Sequence, residues 1–318
     1  MRRAIAIVLL AAVAAAGCGD EGNGAKPKPV TVALDFTPNA AHAGLYAARL
    51  GGRDTRQGVR LRIRTPSSSS DSLKLLATGR ADIAVADIHD LGLARERGSD
   101  LVGIGALVQR PLAAVIAGPG VKRPRELEGK RVGVTGVPSD DAVLRSVVEG
   151  DGGNPKRVHT VTIGFSAVAS LVAHKVAAAT AFWNVEGVTL RRRGVHTREF
   201  RVDAFGAPRY PELVLVVRRQ TLESDRGRLV DAVAAIADGV RAAKADPGPA
   251  LAEVARASDA RPAEVRAEFD AVRPALEPPV TLDRTALENW ATFDVRFGIL
   301  RVRPDVSRAF DFTVAAGA

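Results

Sequence analysis

The chain has 318 residues, and its 45 Lys and Arg exceed its 36 Asp and Glu, which gives a formal net charge of +9. The basic residues are mostly Arg interspersed with acids, and aromatic residues make up only 4% of the chain, which argues against a base-stacking nucleic-acid surface. The single cysteine excludes an internal disulfide and a cysteine-based metal cluster.

The first residues are typical of a secretory signal. Two arginines precede the uncharged apolar run Ala4–Ala16, which is too short to span a bilayer and ends in small residues. The stretch AAGC that leads to Cys18 resembles a bacterial lipobox, although Ala15 stands where Leu is usual. We expect a signal peptide over 1–17, lipidation of Cys18 that anchors the chain to the outer face of the cell membrane, and a polar tether over 18–29. An ordinary cleaved signal is the alternative.

Short β-rich runs then alternate with amphipathic stretches almost to the end of the chain. This alternation predicts an α/β fold with parallel sheets flanked by helices, and the roughly 290 residues after the tether exceed one compact core. The predicted strands are Val30–Phe36, Arg60–Thr65, Asp82–Ala86, Val102–Val108, Ala113–Ala117, Arg131–Val134, Val158–Ile163, Ala178–Phe182 and Leu213–Val217. The predicted helical segments are Asp71–Ala77, Asp140–Glu149, Ala167–Lys175 and a helical tail over Leu222–Val272.

The end of the first predicted strand carries an unusual set of polar and aromatic residues. Asp35 and Phe36 close the strand, and Asn39, His42 and Tyr46 follow at three- and four-residue spacing, which places them on one helical face. Ligands of open α/β sheets bind outside the carboxyl ends of the strands. These five residues are therefore candidates for ligand contact. A helix cap with core packing explains the spacing equally well.

A serine run precedes the predicted helix at Asp71. Free amides and hydroxyls at a helix start can hold the acceptor atoms of a ligand, which makes Ser69 and Ser70 candidates. A plain loop is the alternative. The segment Gly136–Asp140 starts a helix in a similar way.

A third candidate set follows the strand Ala178–Phe182. The indole of Trp183 suits stacking on a flat ring, and Asn184 and Glu186 add an amide and a carboxylate acceptor. The alternative for Trp183 is a core anchor.

Six segments, in order, are similar to one known family. They read LDFTPNAAHAGLYAA, LKLLATGRADIAVAD, ALVQRPLAAVI, ELEGKRVGV, AFWNVEGV and YPELVLVV, within about Val30 to Val217. Together they resemble the thiamine-pyrimidine-synthase-like (SsuA/THI5-like) solute-binding proteins, in particular the branch that binds thiamine pyrimidine precursors. The resemblance implies a type II periplasmic-binding-protein fold, with two α/β lobes and a ligand cleft between them.

The resemblance also implies roles for residues that match its motifs. Asp35 would accept a hydrogen bond from the amino group of the pyrimidine, with Asn39 nearby, and Glu186 would be a second acceptor. Trp183 and Tyr46 would supply aromatic walls.

Two further positions follow from the same resemblance. Phe36 stands where many relatives have Trp, which reduces the stacking surface. Tyr210, next to the second crossing between the lobes, would be a lid contact.

An enzyme hypothesis follows from the same resemblance, because fungal members make the pyrimidine phosphate from pyridoxal phosphate and their own histidine. Those enzymes carry an iron-binding cysteine run, whereas the matching region Gly206–Tyr210 here has no cysteine. Their cofactor lysine is replaced near Ala86, and His89 lies one residue from the expected histidine. We therefore expect a binding protein without catalytic residues, cofactor or metal.

The lobes are expected over 30–109 plus 212–318 and over 110–211, with crossovers near Gln109–Ala114 and Arg209–Leu215. The resemblance implies capture of a hydroxymethylpyrimidine or formylaminopyrimidine by lobe closure, for an ABC permease and its ATPase. Riboflavin, other heterocycles or a taurine-like sulfonate are alternative ligands, and an extracytoplasmic sensor is the alternative role. We expect a monomer with a membrane anchor and no nucleic-acid partner.

Overall fold

Two five-stranded sheets form the framework of the computed structural model, which describes residues 26–67, 71–137 and 139–317. The strands are β1 Lys28–Ala33, β2 Val59–Arg64, β3 Ile83–Asp87, β4 Leu101–Val108, β5 Ala113–Ala117, β6 Arg131–Val134, β7 His159–Thr162, β8 Ala178–Phe182, β9 Arg198–Arg201 and β10 Leu213–Arg218. Each of the nine predicted strands has a counterpart. Only β9 was missed, because its sequence REFR has a single apolar residue.

The strand order is β2-β1-β3-β10-β4 in the first sheet and β7-β6-β8-β5-β9 in the second. The prediction of parallel sheets is correct for β1 to β3 and for β6 to β8, and wrong for β10 and β5, which run antiparallel to both of their neighbours. The cause is the path of the chain. It passes between the sheets at the carboxyl ends of β4 and β9, through a first crossover over 109–112 and a second over 202–212, so the next strand runs back from that edge.

The helices cover both sheets and form the predicted helical tail. They are α1 Ala43–Arg49, α2 Arg53–Arg56, α3 Asp71–Ala77, α4 Ile88–Glu96, α5 Ser139–Gly150, α6 Ala167–Val172, α7 Glu186–Arg192, α8 Arg219–Ser224, α9 Arg226–Ala245, α10 Gly248–Ser258, α11 Pro262–Val272, α12 Arg284–Arg296, α13 Val306–Ala309 and α14 Phe312–Ala316. Within the described residues, none of these helices has the length and apolar character needed to cross a bilayer.

The first sheet therefore contains strands from 28–108 and 213–218, and the second contains strands from 113–201. The predicted lobe boundaries, 30–109 plus 212–318 and 110–211, stay a prediction, because they also assign the helical tail and imply that each lobe moves as a unit. The predicted signal peptide, Cys18 and most of the tether lie outside the described residues, as do Ser69 and Ser70.

A close contact between two helices fixes the segment that follows β1. Helix α9 crosses α1 at a point where both helices have glycine, and a Cβ built on Gly239 would lie 2.1 Å from the carbonyl oxygen of Gly44. Backbone atoms cannot yield as the end of a side chain can, so only glycine permits this approach. Because α1 continues from the loop that carries Asp35, the crossing also positions one wall of the cleft described below.

We expect Gly239→Ala to lower the free energy of unfolding by about 1–3 kcal/mol, the usual cost of overpacking a core. Gly227→Ala is the matched control, since it lies in the same helix and a Cβ there would meet no described atom within 4 Å. It should be neutral or stabilising, because alanine has the higher helix propensity. Chemical denaturation of both variants measures the difference, and equal stabilities would contradict the close crossing.

Candidate functional site

A cleft lies where the carboxyl ends of strands from the two sheets face each other. Its volume is about 110 Å³. The lining residues come from both sheets and from the second crossover: Asp35, Phe36, Ser72, Ala86, Asp87, Asp90, Ala113, Thr135, Val137, Ser139, Asp140, Val143, Gly164, Phe165, Ala167, Thr180, Ala181, Phe182, Glu186 and Glu212. This is the position at which open α/β sheets bind ligands.

The charge of the cleft lining has one sign. Six carboxyl groups belong to it, and among the described residues no lysine or arginine does. Burial raises the pKa of Glu186, and it raises the pKa of Asp90 to about 7, with the charge of Asp87 acting in the same direction. A carboxyl group that leaves water without a cation favours its protonated form. The cleft therefore offers acceptors and protonated carboxyl groups and opposes anions.

Asp35 is held by a short chain of hydrogen bonds. The backbone N–H of Asn39 donates to His42 Nδ1 at 3.2 Å, which leaves the ring proton on Nε2, and His42 Nε2 donates to Asp35 Oδ1 at 2.8 Å. Asn39 Oδ1 in turn caps the following helical turn by accepting from the backbone N–H of Ala41. Asn39 and His42 are buried, so they position Asp35 and do not line the cleft. Among the described residues, no hydrogen bond occupies the second oxygen of Asp35.

Two phenylalanines meet across the mouth of the cleft. Phe36 follows β1 in the first sheet, and Phe165 follows β7 in the second. Their ring centroids are 4.5 Å apart and the rings are nearly perpendicular, at 83°. Phe165 is 51% exposed, which is unusual for a ring of this size. The pair provides apolar surface that a flat ligand ring can contact.

Glu186 and Asp140 lie on the side of the second sheet. Glu186 is the first residue of α7, and its Oε2 accepts from the backbone N–H of Phe182 at 3.1 Å. Asp140 has four donors of its own chain: the hydroxyls of Thr135 and Thr180, each at 2.7 Å, and the backbone N–H groups of Gly136 and Val137. Asp140 therefore closes the loop after β6, whereas Glu186 keeps capacity for a further donor.

The structure does not place Trp183 in the cleft. Its side chain is 7% exposed, its Nε1 donates to the carbonyl of Pro111 at 3.0 Å, and the guanidinium of Arg201 covers its ring at 4.1 Å from the centroid. The ring anchors the first crossover and has no free face for a ligand. Asn184 is fully buried and also lies outside the cleft lining.

Neither tyrosine lines the cleft. Tyr46 lies in a separate depression with Arg49 and Glu253, and burial raises the pKa of its hydroxyl. Tyr210 is fully buried, with its ring centroid 5.0 Å from that of His89. Both rings pack against the protein and lie outside this cleft lining, so the predicted aromatic wall and lid contact stay predictions that this arrangement of the chain does not support.

Four lining residues with clear chemistry were not predicted from the sequence. Asp87 ends β3 and caps α4, so the rule that ligands bind at strand ends could have identified it. Asp90 lies one helical turn further. Phe165 and Glu212 carry no local signal, because the loop after β7 and the second crossover reach the cleft only in the folded chain. No group of three or more His, Cys, Asp or Glu in the described ranges is arranged to hold a metal ion.

The arrangement of two mixed sheets with two crossovers and an intervening cleft defines a type II periplasmic-binding-protein fold. The chain is similar to the ligand-binding component of an ABC-type import system from Staphylococcus aureus, with a TM-score of 0.75 and 12% identity over 91% of this chain and 98% of that one. At this identity the likeness concerns the fold alone.

The family model described as NMT1/THI5 like matches residues 39–250, which is more than half of the chain. The chain belongs to this family. It is 32% identical over 197 residues to a formylaminopyrimidine-binding protein of Halalkalibacterium halodurans, which covers 61% of this chain and 60% of that relative. It is also 32% identical over 111 residues to a 4-amino-5-hydroxymethyl-2-methylpyrimidine phosphate synthase of Uromyces fabae, over 34% of this chain and 32% of that enzyme.

We expect Asp140→Ala to lower the free energy of unfolding by about 2–4 kcal/mol, because it leaves several donors of the β6 loop without their acceptor. Asp141→Ala is the matched control, since Asp141 occupies the same first turn of α5 but is exposed. Its effect should stay within about 0.5 kcal/mol. Urea denaturation compares the two, and equal losses would contradict the assigned role of Asp140.

Proposed function

We propose that the protein is an extracytoplasmic substrate-binding protein of an ABC importer, and that it captures a thiamine pyrimidine precursor of the hydroxymethylpyrimidine or formylaminopyrimidine type. The observation that carries the proposal is the lining of the cleft, in which six carboxyl groups, two phenylalanines facing each other and no described cation surround a small cavity. An aminopyrimidine matches this lining, because it has a flat ring, amino hydrogens and no negative charge.

Two carboxyl groups suit the amino hydrogens of such a ligand. The second oxygen of Asp35 makes no hydrogen bond in the described chain, and the carboxyl group of Glu186 accepts only from backbone N–H groups, those of Phe182 and of Glu186 itself. They belong to opposite sides of the cleft, one after β1 and the other after β8. A ligand that bonds to both joins the two sides and stabilises a closed arrangement by its differential affinity.

The cleft disfavours the alternative ligands. A sulfonate carries a full negative charge, and carboxyl groups without an accompanying lysine or arginine would repel it. Riboflavin has three fused rings. The cavity of about 110 Å³ is smaller than the roughly 300 Å³ typical of the smallest ligand pockets, so it favours a single-ring ligand over riboflavin. The relative named as a formylaminopyrimidine-binding protein supports the same choice.

A binding function without catalysis accounts for the cleft better than a synthase does. Relatives named as pyrimidine phosphate synthases belong to the same family, but the resemblance expects a lysine and a cysteine run in them. Here the only cysteine is Cys18, and the cleft lining in the described residues contains no lysine.

The location and partners belong to the same proposal. The signal-like segment 1–17 and Cys18 support export and lipid anchoring, with the folded body as a monomer that serves a permease and its ATPase. Labelled palmitate should enter the wild-type protein and not Cys18→Ser, whereas equal labelling would contradict the anchor. A sensor role would instead require a receptor partner, and loss of pyrimidine uptake on deletion of the gene separates the two roles.

Calorimetric titration with hydroxymethylpyrimidine, formylaminopyrimidine, thiamine, riboflavin and taurine tests the ligand class. We expect binding of at least one of the two pyrimidine precursors and none of taurine. Asp35→Asn and Glu186→Gln should each weaken that binding about 10- to 100-fold, the range for a hydrogen bond to a charged group.

Asp141→Asn is the control, because it changes an exposed acid near the cleft but outside its lining. Binding of taurine alone, or unchanged pyrimidine affinity in both cleft variants, would contradict the proposal. Melting temperatures of all variants show whether a loss of binding reflects unfolding.

A further inference from the structure

Glu212 lies where three parts of the structure meet. It is the last residue of the second crossover, and its backbone N–H donates to the carbonyl of Val108 at the end of β4, at 3.0 Å. Its carbonyl accepts from the backbone N–H of Ile88, at the start of α4, also at 3.0 Å. Its side chain reaches the first crossover, where Oε2 accepts from the backbone N–H of Leu112 at 2.7 Å. Glu212 therefore links both crossovers to the end of β4 and the start of α4.

The other carboxyl oxygen is unusual. Glu212 is fully buried and lines the cleft, yet Oε1 has no hydrogen-bond partner in the part of the chain that the structure describes. A buried polar atom without a partner costs roughly 1–3 kcal/mol, and native structures contain few of them. At the surface of a binding cleft, such an atom is a contact point for the ligand.

The surroundings favour the protonated form of this carboxyl group. Burial raises the pKa of Glu212 to about 8, and the charge of Asp87 acts in the same direction. The charge of His89 and the backbone N–H groups of Leu112 and Ala113 oppose this shift without cancelling it. Because the N–H of Leu112 donates to Oε2, the proton belongs on Oε1. The titratable groups near Glu212 or across the cleft are Asp87, His89, Asp90, Tyr210 and Asp294, together with Asp35, Asp140 and Glu186.

We infer that Glu212 is a ligand-contacting residue, which donates a hydrogen bond from Oε1 to a ring nitrogen of the bound heterocycle while Oε2 keeps its bond to the first crossover. This inference rests on the function proposed above and adds the residue that forms a hydrogen bond with a ring nitrogen of the ligand. Asp35 and Glu186 accept from amino hydrogens, whereas Glu212 recognises the unprotonated ring nitrogen. A ligand without such an acceptor would leave the buried hydroxyl unsatisfied.

The sign of the pH dependence follows from the protonated state. If the ligand binds the protonated carboxyl group, the affinity is highest below the pKa of Glu212 in the free protein. The affinity then falls as pH rises through about 8, and the decrease approaches tenfold per pH unit. A carboxylate that accepted from the ligand would give the opposite sign.

The test is calorimetric titration with hydroxymethylpyrimidine between pH 7 and pH 9.5, on wild type, Glu212→Gln and Glu212→Leu. The wild-type affinity should fall above about pH 8. In Glu212→Gln the amide oxygen can accept from Leu112 while the amide N–H takes the place of the acid proton. This variant should bind within about threefold of wild type at pH 7 and lose the decline at high pH, whereas Glu212→Leu should bind at least about tenfold more weakly.

Three results would overturn the inference while leaving the proposed function intact. They are a wild-type affinity that rises or stays flat with pH, a decline that persists in Glu212→Gln, and unchanged binding by Glu212→Leu. If Glu212→Leu does not fold, the comparison of wild type with Glu212→Gln decides alone. Failure of the wild-type protein to bind any aminopyrimidine would overturn the proposed function, and this inference with it.

Discussion

Carboxyl groups are costly to bury beside one another, and the cleft of this protein buries or half-buries six of them without a described cation in its lining. Each loses hydration, and each charge disfavours ionisation of the next. The arrangement is tolerable only if some groups accept hydrogen bonds from the chain, some retain a proton and some await a ligand. Each of these three outcomes depends on where the fold places the carboxyl group, at a strand end, in a crossover or at the start of a helix.

The individual groups divide accordingly. Asp140 is satisfied by four donors of its own chain and belongs to the framework. Asp35 is half-satisfied, because His42 donates to one oxygen and the other remains available to the cleft. Glu212 is held through one oxygen, and burial favours a proton on the other. A neutral ring with amino hydrogens and ring nitrogens complements the last two groups, whereas an anion complements none.

The aromatic residues near the cleft divide between those that pack the framework and those that line the cavity. The indole N–H of Trp183 donates to the carbonyl of Pro111, and the guanidinium of Arg201 covers its ring. Trp183 therefore holds the first crossover in place and does not face the cleft. The exposed ring surface comes instead from Phe36 and Phe165, one from each sheet. Their edge-to-face contact bridges the mouth of the cleft, which is where approach of the two sides would enclose a flat ring.

Much of the fold could be predicted, because hydrophobic runs bounded by turn residues mark strands such as β4 and β10 without knowledge of their partners. The antiparallel direction of β5 and β10 could not, since it depends on where the chain crosses between sheets. Asp35, Phe36 and Glu186, which were predicted from their positions after strands, line the cleft, and their contact with a ligand stays a prediction. Trp183 and Tyr210 are buried outside the cleft lining, which spacing could not show, because it does not tell a buried ring from one that faces a cleft. Glu212 was missed for a related reason, as only the fold brings the second crossover against the cleft.

A crystal structure of the protein with bound formylaminopyrimidine tests the central claim most directly. We predict that the amino group of the ligand lies within about 3 Å of the free oxygen of Asp35 or of Glu186, with the ring against Phe36 or Phe165. A ligand bound outside the cleft, or one held in the cleft without contact to any of its carboxyl groups, would contradict the account.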